Sequence, residues 1–194
     1  ETPMGTWTNH HSLVEYDGQW YLFYHNSAYS PKFDKNRSVC IDSLFFNPDG
    51  TIQKVIPTHR GVGLTSASSR IEFDRFSNIS QEGASIAYID TLDAFKGWKT
   101  VLDKQNGWIS YNAVDFGSKK VKKVNVNAVS PSGSFLEIRL DNAGGPVIAQ
   151  VKVPATTEWT TVSARVKLKK RGVQNLVLVL KGENPVETDW VSFK

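Results

Sequence analysis

Evenly spaced segments of alternating apolar and polar residues are the strongest constraint on the fold of this chain. In residues 135–141 apolar side chains alternate with Glu137 and Arg139, and residues 162–168 repeat the pattern. Such alternation predicts strands with one face in a core and the other in solvent. Residues 176–180 are continuously apolar, which is typical of a central strand covered on both faces. Because turn residues separate these segments, we predict an all-β sandwich or jelly roll.

Two hairpins are predicted in the first 60 residues. The first turns at Asp17-Gly18 between two runs of aromatic and β-branched residues, which is a strong hairpin signal. The second pairs residues 37–46 with residues 51–56. Together they approximate the four-stranded blade of a β-propeller. A single blade cannot bury both of its faces. We therefore expect further chain, or another molecule, to cover it.

A linker separates the two regions. Residues 61–69 are small and polar, which is a linker composition. We therefore predict two domains, a blade fragment over residues 1–66 and a sandwich over residues 67–194. A length of about 125 residues is normal for one sandwich domain. The only helical signal is a short segment at residues 92–98.

The charge pattern is mild overall, with 23 Lys and Arg against 19 Asp and Glu. Two basic runs, residues 119–123 and 167–171, could contact an anion such as nucleic acid, but they also fit solvated strand faces and edges. No nucleic-acid motif accompanies them, so we expect no nucleic-acid partner. No segment approaches the roughly 20 apolar residues of a membrane helix, so we expect no membrane partner. The single cysteine, Cys40, is interpreted as a core thiol.

Two blocks of sequence resemble known families, and their order along the chain strengthens the resemblance. The first block resembles the last blade of glycoside hydrolase family 43 and comprises GTWTNHHS (5–12), GQWYLFYH (18–25), RSVC (37–40) and NPDGTI (47–52). The second resembles carbohydrate-binding module family 6 and comprises IEFDRF (71–76), GWISY (107–111), VDFG (114–117) and DWVSF (189–193). The resemblance implies the last blade of a five-bladed propeller followed by a β-sandwich.

The resemblance implies an inverting glycosidase that removes arabinose or xylose from plant polysaccharides. Such cleavage needs two carboxyl groups, and in the family these lie on earlier blades. We therefore expect no hydrolysis by this chain alone. The resemblance also implies that His10 lines the active site, without acting as acid or base, near a metal ion, often calcium, at the propeller axis. From residue chemistry alone, His10 and His11 alternate on a strand, one buried and one exposed.

The resemblance further implies a structural calcium in the sandwich, held by carboxylates of the first and last strands. Glu72, Asp74 and Asp189 are the candidate ligands. Glu72 and Asp74 are two residues apart and so share a strand face, and calcium prefers such oxygen ligands. Asp74 stands where the family usually has a glutamate. The alternative is three exposed acids at a sheet edge.

The sugar cleft of the family holds a ring between two aromatic side chains and fixes it with an asparagine. Tyr88 matches the first aromatic, residues 154–158 replace the loop that carries the second, and Glu187 stands at the asparagine position. An insertion unusual for the family carries Phe95 and Trp98. These two rings could rebuild a sugar platform, or they could pack the insertion onto the sandwich or the propeller.

The predicted function is that of the C-terminal portion of a glycosidase acting on arabinoxylan, xylan or arabinan, located outside the cytoplasm as a secreted, periplasmic or cell-surface protein. Its partners would be cell-wall polysaccharide or oligosaccharide and the missing propeller blades, on the same protein or on another chain. Two alternatives remain open. The sandwich could be a structural module that braces the propeller without binding sugar, or the enzyme could be completed in trans by blades of another chain.

Overall fold

The structure is a computed structural model that describes residues 10–27, 29 and 37–194. Positions 5–9 of the first sequence block lie outside these residues. The chain divides into two compact units, Glu1–Val62 and Gly63–Lys194. The division lies slightly earlier than the boundary predicted after Ser66, because Thr65 and Ser66 already pair with the sandwich. Among the described residues no helix has the length and apolar character needed to cross a membrane.

The first unit contains a three-stranded antiparallel sheet. Its strands are β1 (His11–Tyr16), β2 (Gln19–Asn26) and β3 (Ser38–Leu44), in the order β1-β2-β3. The turn between β1 and β2 has positive φ angles at both central residues, 52° at Asp17 and 73° at Gly18. This backbone matches the twist of a two-residue hairpin, so the first predicted hairpin is confirmed.

The second predicted hairpin forms only in part. A single bridge joins Phe46 to Ile52, and no strand forms over residues 51–56. Beyond the bridge, Thr58 donates hydrogen bonds from its N and Oγ1 to the Asp42 carboxylate, at 3.0 and 2.6 Å. These side-chain bonds hold the returning segment near β3 in place of a strand ladder, so the prediction of a fourth strand was wrong.

The second unit is a β-sandwich of two six-stranded sheets, so the predicted all-β class is confirmed. One sheet has the order β13-β10-β15-β8-β7 with β5 paired to β15, and the other has the order β12-β11-β14-β9-β4 with β6 paired to β9. The strands are β4 (Thr65–Ser66), β5 (Ile71–Glu72), β6 (Asn78–Ile79), β7 (Ala84–Tyr88), β8 (Trp98–Leu102), β9 (Trp108–Asp115), β10 (Lys123–Ser130), β11 (Ser134–Leu140), β12 (Val147–Val153), β13 (Thr156–Arg165), β14 (Val173–Leu180) and β15 (Val186–Phe193).

The core lies between the two sheets and follows the alternation in the sequence. On β14, Leu176, Leu178 and Leu180 belong to this core and are fully buried. Val177 and Val179 point to the opposite face and are also buried, at 1% and 2% exposed. The prediction of a strand covered on both faces is therefore confirmed. At the short helical signal of residues 92–98, the described chain forms one 3₁₀ turn, Ala94–Lys96.

Strand β15 has the most pairing partners in its sheet. It pairs antiparallel with β10, β8 and β5. Its inward residues Val186, Val191 and Phe193 are at most 1% exposed. The last strand of the sandwich in sequence is thus a central strand in space.

Removal of a core side chain from β14 tests this packing. We expect Leu178→Ala to lower the free energy of unfolding by about 2–5 kcal/mol, because Leu178 is fully buried and the cavity cannot be filled by water. Urea denaturation of the full chain measures the change. Val147→Ala, on the edge strand β12 and 39% exposed, is the matched control and should cost less than about 1 kcal/mol. Equal losses in the two variants would contradict the assigned core.

Candidate functional site

Tyr88 and Trp98 form a stacked aromatic pair at the end of the β7–β8 hairpin. They are register partners across the two strands, and their ring centroids are 4.0 Å apart at an interplanar angle of 25°. Each ring therefore covers one face of the other, and both side chains are half-buried. A sugar could stack only on the outer face of this pair and not between the two rings.

The loop between β7 and β8 is held in shape by its own polar groups. Asp90 Oδ1 accepts a hydrogen bond from the Leu92 amide at 2.9 Å, and Asp93 Oδ1 caps the 3₁₀ turn by accepting one from the Phe95 amide at 3.1 Å. Lys96 Nζ lies 2.8 Å from Asp90 Oδ2. The loop therefore has a defined conformation without packing against a core.

Two apolar side chains project from this loop into solvent. Leu92 is 96% exposed and Phe95 is 102% exposed. The possibility that Phe95 packs the insertion onto the sandwich is therefore contradicted, whereas Trp98 does pack, against Tyr88. Trp98 is thus half-buried in its stack, whereas the Phe95 ring is fully exposed.

Glu187 does not join the aromatic residues. It pairs with Val101 in the β15–β8 register, and its Oε2 lies 2.8 Å from Lys99 Nζ. Successive residues of a strand point to opposite faces. Val101 and Lys99 therefore lie on the face of β8 opposite Trp98, and Glu187 lies with them. The structure thus brings together two of the four predicted sugar-binding residues, Tyr88 and Trp98.

The connection between β12 and β13 is too short to carry a second aromatic. Only Pro154 and Ala155 lie between the two strands. A shallow cavity of about 530 Å³ opens beside this turn, lined by Phe135 and Lys152 among others. Phe135 is 39% exposed. The sequence does give a signal for this exposed ring. Phe135 is an apolar residue on the outward face of β11, the face that also carries Glu137.

Two of the three candidate calcium ligands, Glu72 and Asp189, lie where β5 meets β15. Asp74 lies in the turn after β5, so the expectation that it shares a strand face with Glu72 was wrong. Glu72 pairs with Trp190, next to Asp189. A β-bulge interrupts the β10–β15 ladder, because Val126 pairs with Val191 whereas Ala128 pairs with Thr188. Two residues of β15, Asp189 and Trp190, therefore oppose the single residue Asn127 of β10. Bulges of this kind redirect a side chain, and this one places Asp189 near the carboxylate of Glu72.

The electrostatics of these carboxylates indicate crowding of like charge. Burial, and then repulsion from Glu72, raises the pKa of Asp74 to about 6, against an opposing effect of Arg75. Burial and Glu72 also raise the pKa of Asp189, while Arg70 lowers it. Arg75 Nε lies 3.4 Å from Glu72 Oε2. In the described part of the chain, no three His, Cys, Asp or Glu side chains are arranged to hold a metal ion.

His10 lies immediately before β1 and is exposed. Its ring centroid is 5.8 Å from that of His25, at an interplanar angle of 35°. His11 pairs with Tyr24 in the β1–β2 register, so His10 and His25 are cross-strand neighbours. The sequence gives no local signal for this contact, because the two rings belong to different segments of the chain.

A buried carboxylate in the first unit escaped the sequence analysis. Asp42 is 6% exposed and accepts a 2.6 Å hydrogen bond from Tyr24 Oη besides those from Thr58. Burial and this bond raise the pKa of Tyr24 above its usual value, and burial together with Asp42 raises the pKa of Cys40. Burial lowers the pKa of His59, with Asp42 opposing it. The carboxylate of Asp42 therefore serves as an acceptor that ties β2 and β3 to residue 58.

The fold defines a two-sheet β-sandwich module that follows a short antiparallel sheet along the chain. The family model for "Carbohydrate binding module (family 6)" matches residues 72–194, and the chain belongs to this family. The chain is 28% identical over 185 residues to an arabinoxylan arabinofuranohydrolase of Paenibacillus polymyxa, covering 90% of this chain and 29% of that protein.

Two solved structures are similar to the chain. A glycoside hydrolase family 43 arabinoxylan arabinofuranohydrolase from Bacillus subtilis, in complex with cellotetraose, has a TM-score of 0.66 at 25% identity, covering 96% of this chain and 40% of that one. A family 6 carbohydrate-binding module from Clostridium cellulolyticum, in complex with xylose, has a TM-score of 0.59 at 29% identity, covering 67% and 99%. The predicted resemblance to both families is confirmed, and the chain spans less than half the length of the arabinofuranohydrolases that it matches.

The raised pKa of Asp74 predicts a pH-dependent stability in the absence of metal. Its pKa is about 6 in the folded chain against an ordinary 3.8, so the folded state holds the proton more tightly than the unfolded state. The contribution of Asp74 to the free energy of unfolding should therefore fall by roughly 1–3 kcal/mol as the pH rises from 4 to 6.5 in EDTA. Acids with lowered pKa values, among them Glu82 and Asp90, contribute with the opposite sign, so the Asp74 contribution is the difference between the wild-type chain and Asp74→Asn. Urea denaturation of both at a series of pH values measures it, and equal pH slopes in the two chains would contradict the assignment.

Proposed function

We propose that this chain is the carbohydrate-associating C-terminal portion of a glycosidase that acts on arabinoxylan or a related plant polysaccharide. The observation that carries the proposal is the family 6 match over residues 72–194. Similarity to arabinofuranohydrolases over nine-tenths of the chain supports the link to a glycosidase. A protein with this task acts on an insoluble polymer outside the cytoplasm, so it is secreted, periplasmic or held at the cell surface.

The sugar ligand proposed for the sandwich is a neutral β-linked chain of pyranoses. The two similar structures are complexes with cellotetraose and with xylose. Such rings present apolar C–H faces that stack on flat aromatic side chains, while a few polar groups set their orientation. Phe95 offers a fully exposed ring on a loop whose shape is fixed by Asp90 and Asp93. This support favours binding over the purely structural role.

The β7–β8 loop is therefore the proposed contact surface for sugar. The Tyr88–Trp98 stack supports the base of the loop, and Phe95 is the ring that the polymer meets. Glu187 takes no part in this contact. Its carboxylate forms an ion pair with Lys99 on the face of the sheet opposite Trp98. Glu187, which stands at the asparagine position of the family, thus links β15 to β8 through an ion pair.

Truncation of Phe95 tests the loop. We expect Phe95→Ala to weaken binding to soluble arabinoxylan by roughly threefold to tenfold, since stacking on one aromatic ring contributes about 0.5–1.5 kcal/mol. Affinity gel electrophoresis at graded polysaccharide concentrations measures the dissociation constant. The fold should be unaffected, because the Phe95 side chain is fully exposed.

Phe135→Ala is the matched control, since it removes a partly exposed ring beside the β12–β13 turn. If that variant loses affinity and Phe95→Ala does not, the cavity beside Pro154 is the sugar site and the loop is not. If arabinoxylan, arabinan and cello-oligosaccharides all leave the wild-type chain unretarded, the binding function fails and the structural alternative stands.

Calcium is the metal proposed for the carboxylate cluster of the sandwich. Glu72, Asp74 and Asp189 supply hard oxygen donors. Burial, and then repulsion from Glu72, raises the pKa of both Asp74 and Asp189, so a cation among these carboxylates would favour their ionised forms. Asn127, which opposes the bulge that carries Asp189, has a buried Oδ1 without a hydrogen-bond partner among the described residues. A bound cation would reduce the repulsion between Glu72 and the two aspartates and would stabilise the pairing of β5 with β15.

Calcium should therefore raise the melting temperature of the chain. We expect an increase of about 2–8 °C at millimolar calcium, because an ion that binds only the folded state stabilises it by mass action. Differential scanning calorimetry in EDTA and in calcium measures the shift. Asp189→Asn should abolish the shift, whereas Asp103→Asn, which alters an exposed acid on another loop, should retain it. An equal shift in both variants would contradict the site.

The first unit is proposed to complete its packing with further propeller blades, and the catalytic carboxylates are proposed to lie on those blades. Every residue of β1 is exposed in the described chain. Apolar side chains such as Tyr16 and Val39 are 73% and 81% exposed. A sheet with so much apolar surface gains stability when another layer covers it. In that arrangement His10 would line the propeller axis, beside a second calcium, as an orienting group and not as an acid or base.

A further inference from the structure

Two basic segments that are distant in sequence lie side by side in the sandwich. Residues 117–123 and 165–172, named here the basic surface, contain nine of the 23 Lys and Arg of the chain and none of the 19 Asp and Glu. The rest of the chain is therefore net acidic. The positive charge of the protein is concentrated on this one surface.

Backbone hydrogen bonds join the two segments near both of their ends. The Val166 amide donates to the Lys122 carbonyl at 2.9 Å, and the Gly172 amide donates to the Gly117 carbonyl at 3.2 Å. The Arg171 guanidinium donates to the carbonyl of Ser118. The fold thus merges two modest charge runs into a single continuous surface.

All nine cationic side chains of the basic surface are exposed. The interspersed residues Val121, Val166 and Leu168 contact the core and so fix the lysines outward. Within the described residues, none of the nine cations forms an ion pair with Asp or Glu. The preceding acid, Asp115, accepts a hydrogen bond from the Gly117 amide at 2.7 Å.

Protection of a sheet edge does not explain this arrangement. Lysines discourage edge-to-edge pairing when they lie on an edge strand. Here only Lys123 and Arg165 lie within strands, because the remaining seven cations fall in the connections between β9 and β10 and between β13 and β14. The interpretation of the runs as solvated strand faces is therefore wrong for most of their residues.

We infer that the basic surface binds an acidic polysaccharide, one whose sugar units carry uronate carboxylates. Crowded like charges repel one another, so the surface gains from a flexible polyanion that spans several of them. The chain belongs to a carbohydrate-binding family, and the basic surface contains no aromatic side chain on which nucleic-acid bases could stack. This inference rests on the proposed carbohydrate association but uses a different surface from the β7–β8 loop.

Fluorescence anisotropy with labelled oligogalacturonate tests the inference on the full chain. Binding should be measurable in dilute buffer and lost at 1 M salt, where the screening length falls to about 3 Å. The methyl-esterified oligosaccharide, which has the same sugar backbone without charge, should not bind at the basic surface. Equal binding of the charged and esterified forms would overturn the inference.

Variants of the basic surface locate the contact. Lys169→Gln/Lys170→Gln and Lys119→Gln/Lys120→Gln should each weaken oligogalacturonate binding by roughly tenfold and reduce its salt dependence. Lys54→Gln/Lys104→Gln makes the same change in net charge at exposed lysines elsewhere and should leave binding within about twofold. Unfolding by urea confirms that the variants fold. Loss of affinity in the control pair alone would overturn the inference.

Neutral arabinoxylan and duplex DNA are two further ligands, and the first of them separates this inference from the proposed function. Binding to neutral arabinoxylan with none to oligogalacturonate overturns the inference and leaves the proposed function intact, and the reverse result overturns neutral-sugar binding alone. Labelled duplex DNA tests whether the surface distinguishes between polyanions. If DNA at equal charge concentration binds as tightly as oligogalacturonate or more tightly, the surface is a general polyanion site and the assignment to acidic polysaccharide is overturned.

Discussion

Burial of one face of each sandwich sheet is the constraint on which the rest of the second unit depends. The inward residues of β10, β14 and β15 fill the space between the sheets and are almost completely excluded from water. Because strand residues alternate between faces, this burial also decides which polar side chains point outward. Glu187 and Lys99 meet on the outer face for that reason. The β7–β8 loop and the basic surface are likewise positioned by strands whose register the core determines.

Charge is distributed unevenly around this core, and the two extremes have different physical consequences. Where β5 meets β15, acids are gathered in a partly buried place, and their pKa values rise because burial and mutual repulsion disfavour ionisation. On the basic surface the cations are exposed to solvent, so water and salt attenuate their repulsion. The first arrangement is the one that the proposed calcium would stabilise by offsetting negative charge. The second suits a long, mobile polymer that touches many side chains weakly.

The sequence patterns predicted the strands and the two families, because alternation and turn residues are local signals. Residues 135–140 and 176–180 lie in β11 and β14, as their periodicity indicates. What could not be predicted depends on contacts between distant residues. The bonds from Thr58 to Asp42 replaced a predicted strand, the β8–β15 register turned Glu187 away from Tyr88, and the pairing of β10 with β13 joined two basic runs. Whether Phe95 packs or projects was likewise undecidable from a loop sequence alone.

The central position of β15 has a consequence for the order of events during synthesis. Its partners β5, β8 and β10 are all translated before it. Until residue 193 has left the ribosome, the sandwich sheet that contains β15 has a gap between β8 and β10. The inward apolar residues of β8 and β10 lack their neighbours from β15 until then. The nascent sandwich must therefore remain incomplete, and open to wrong pairing, until almost its whole length has emerged. Closure of this sheet therefore waits for its last strand to be made.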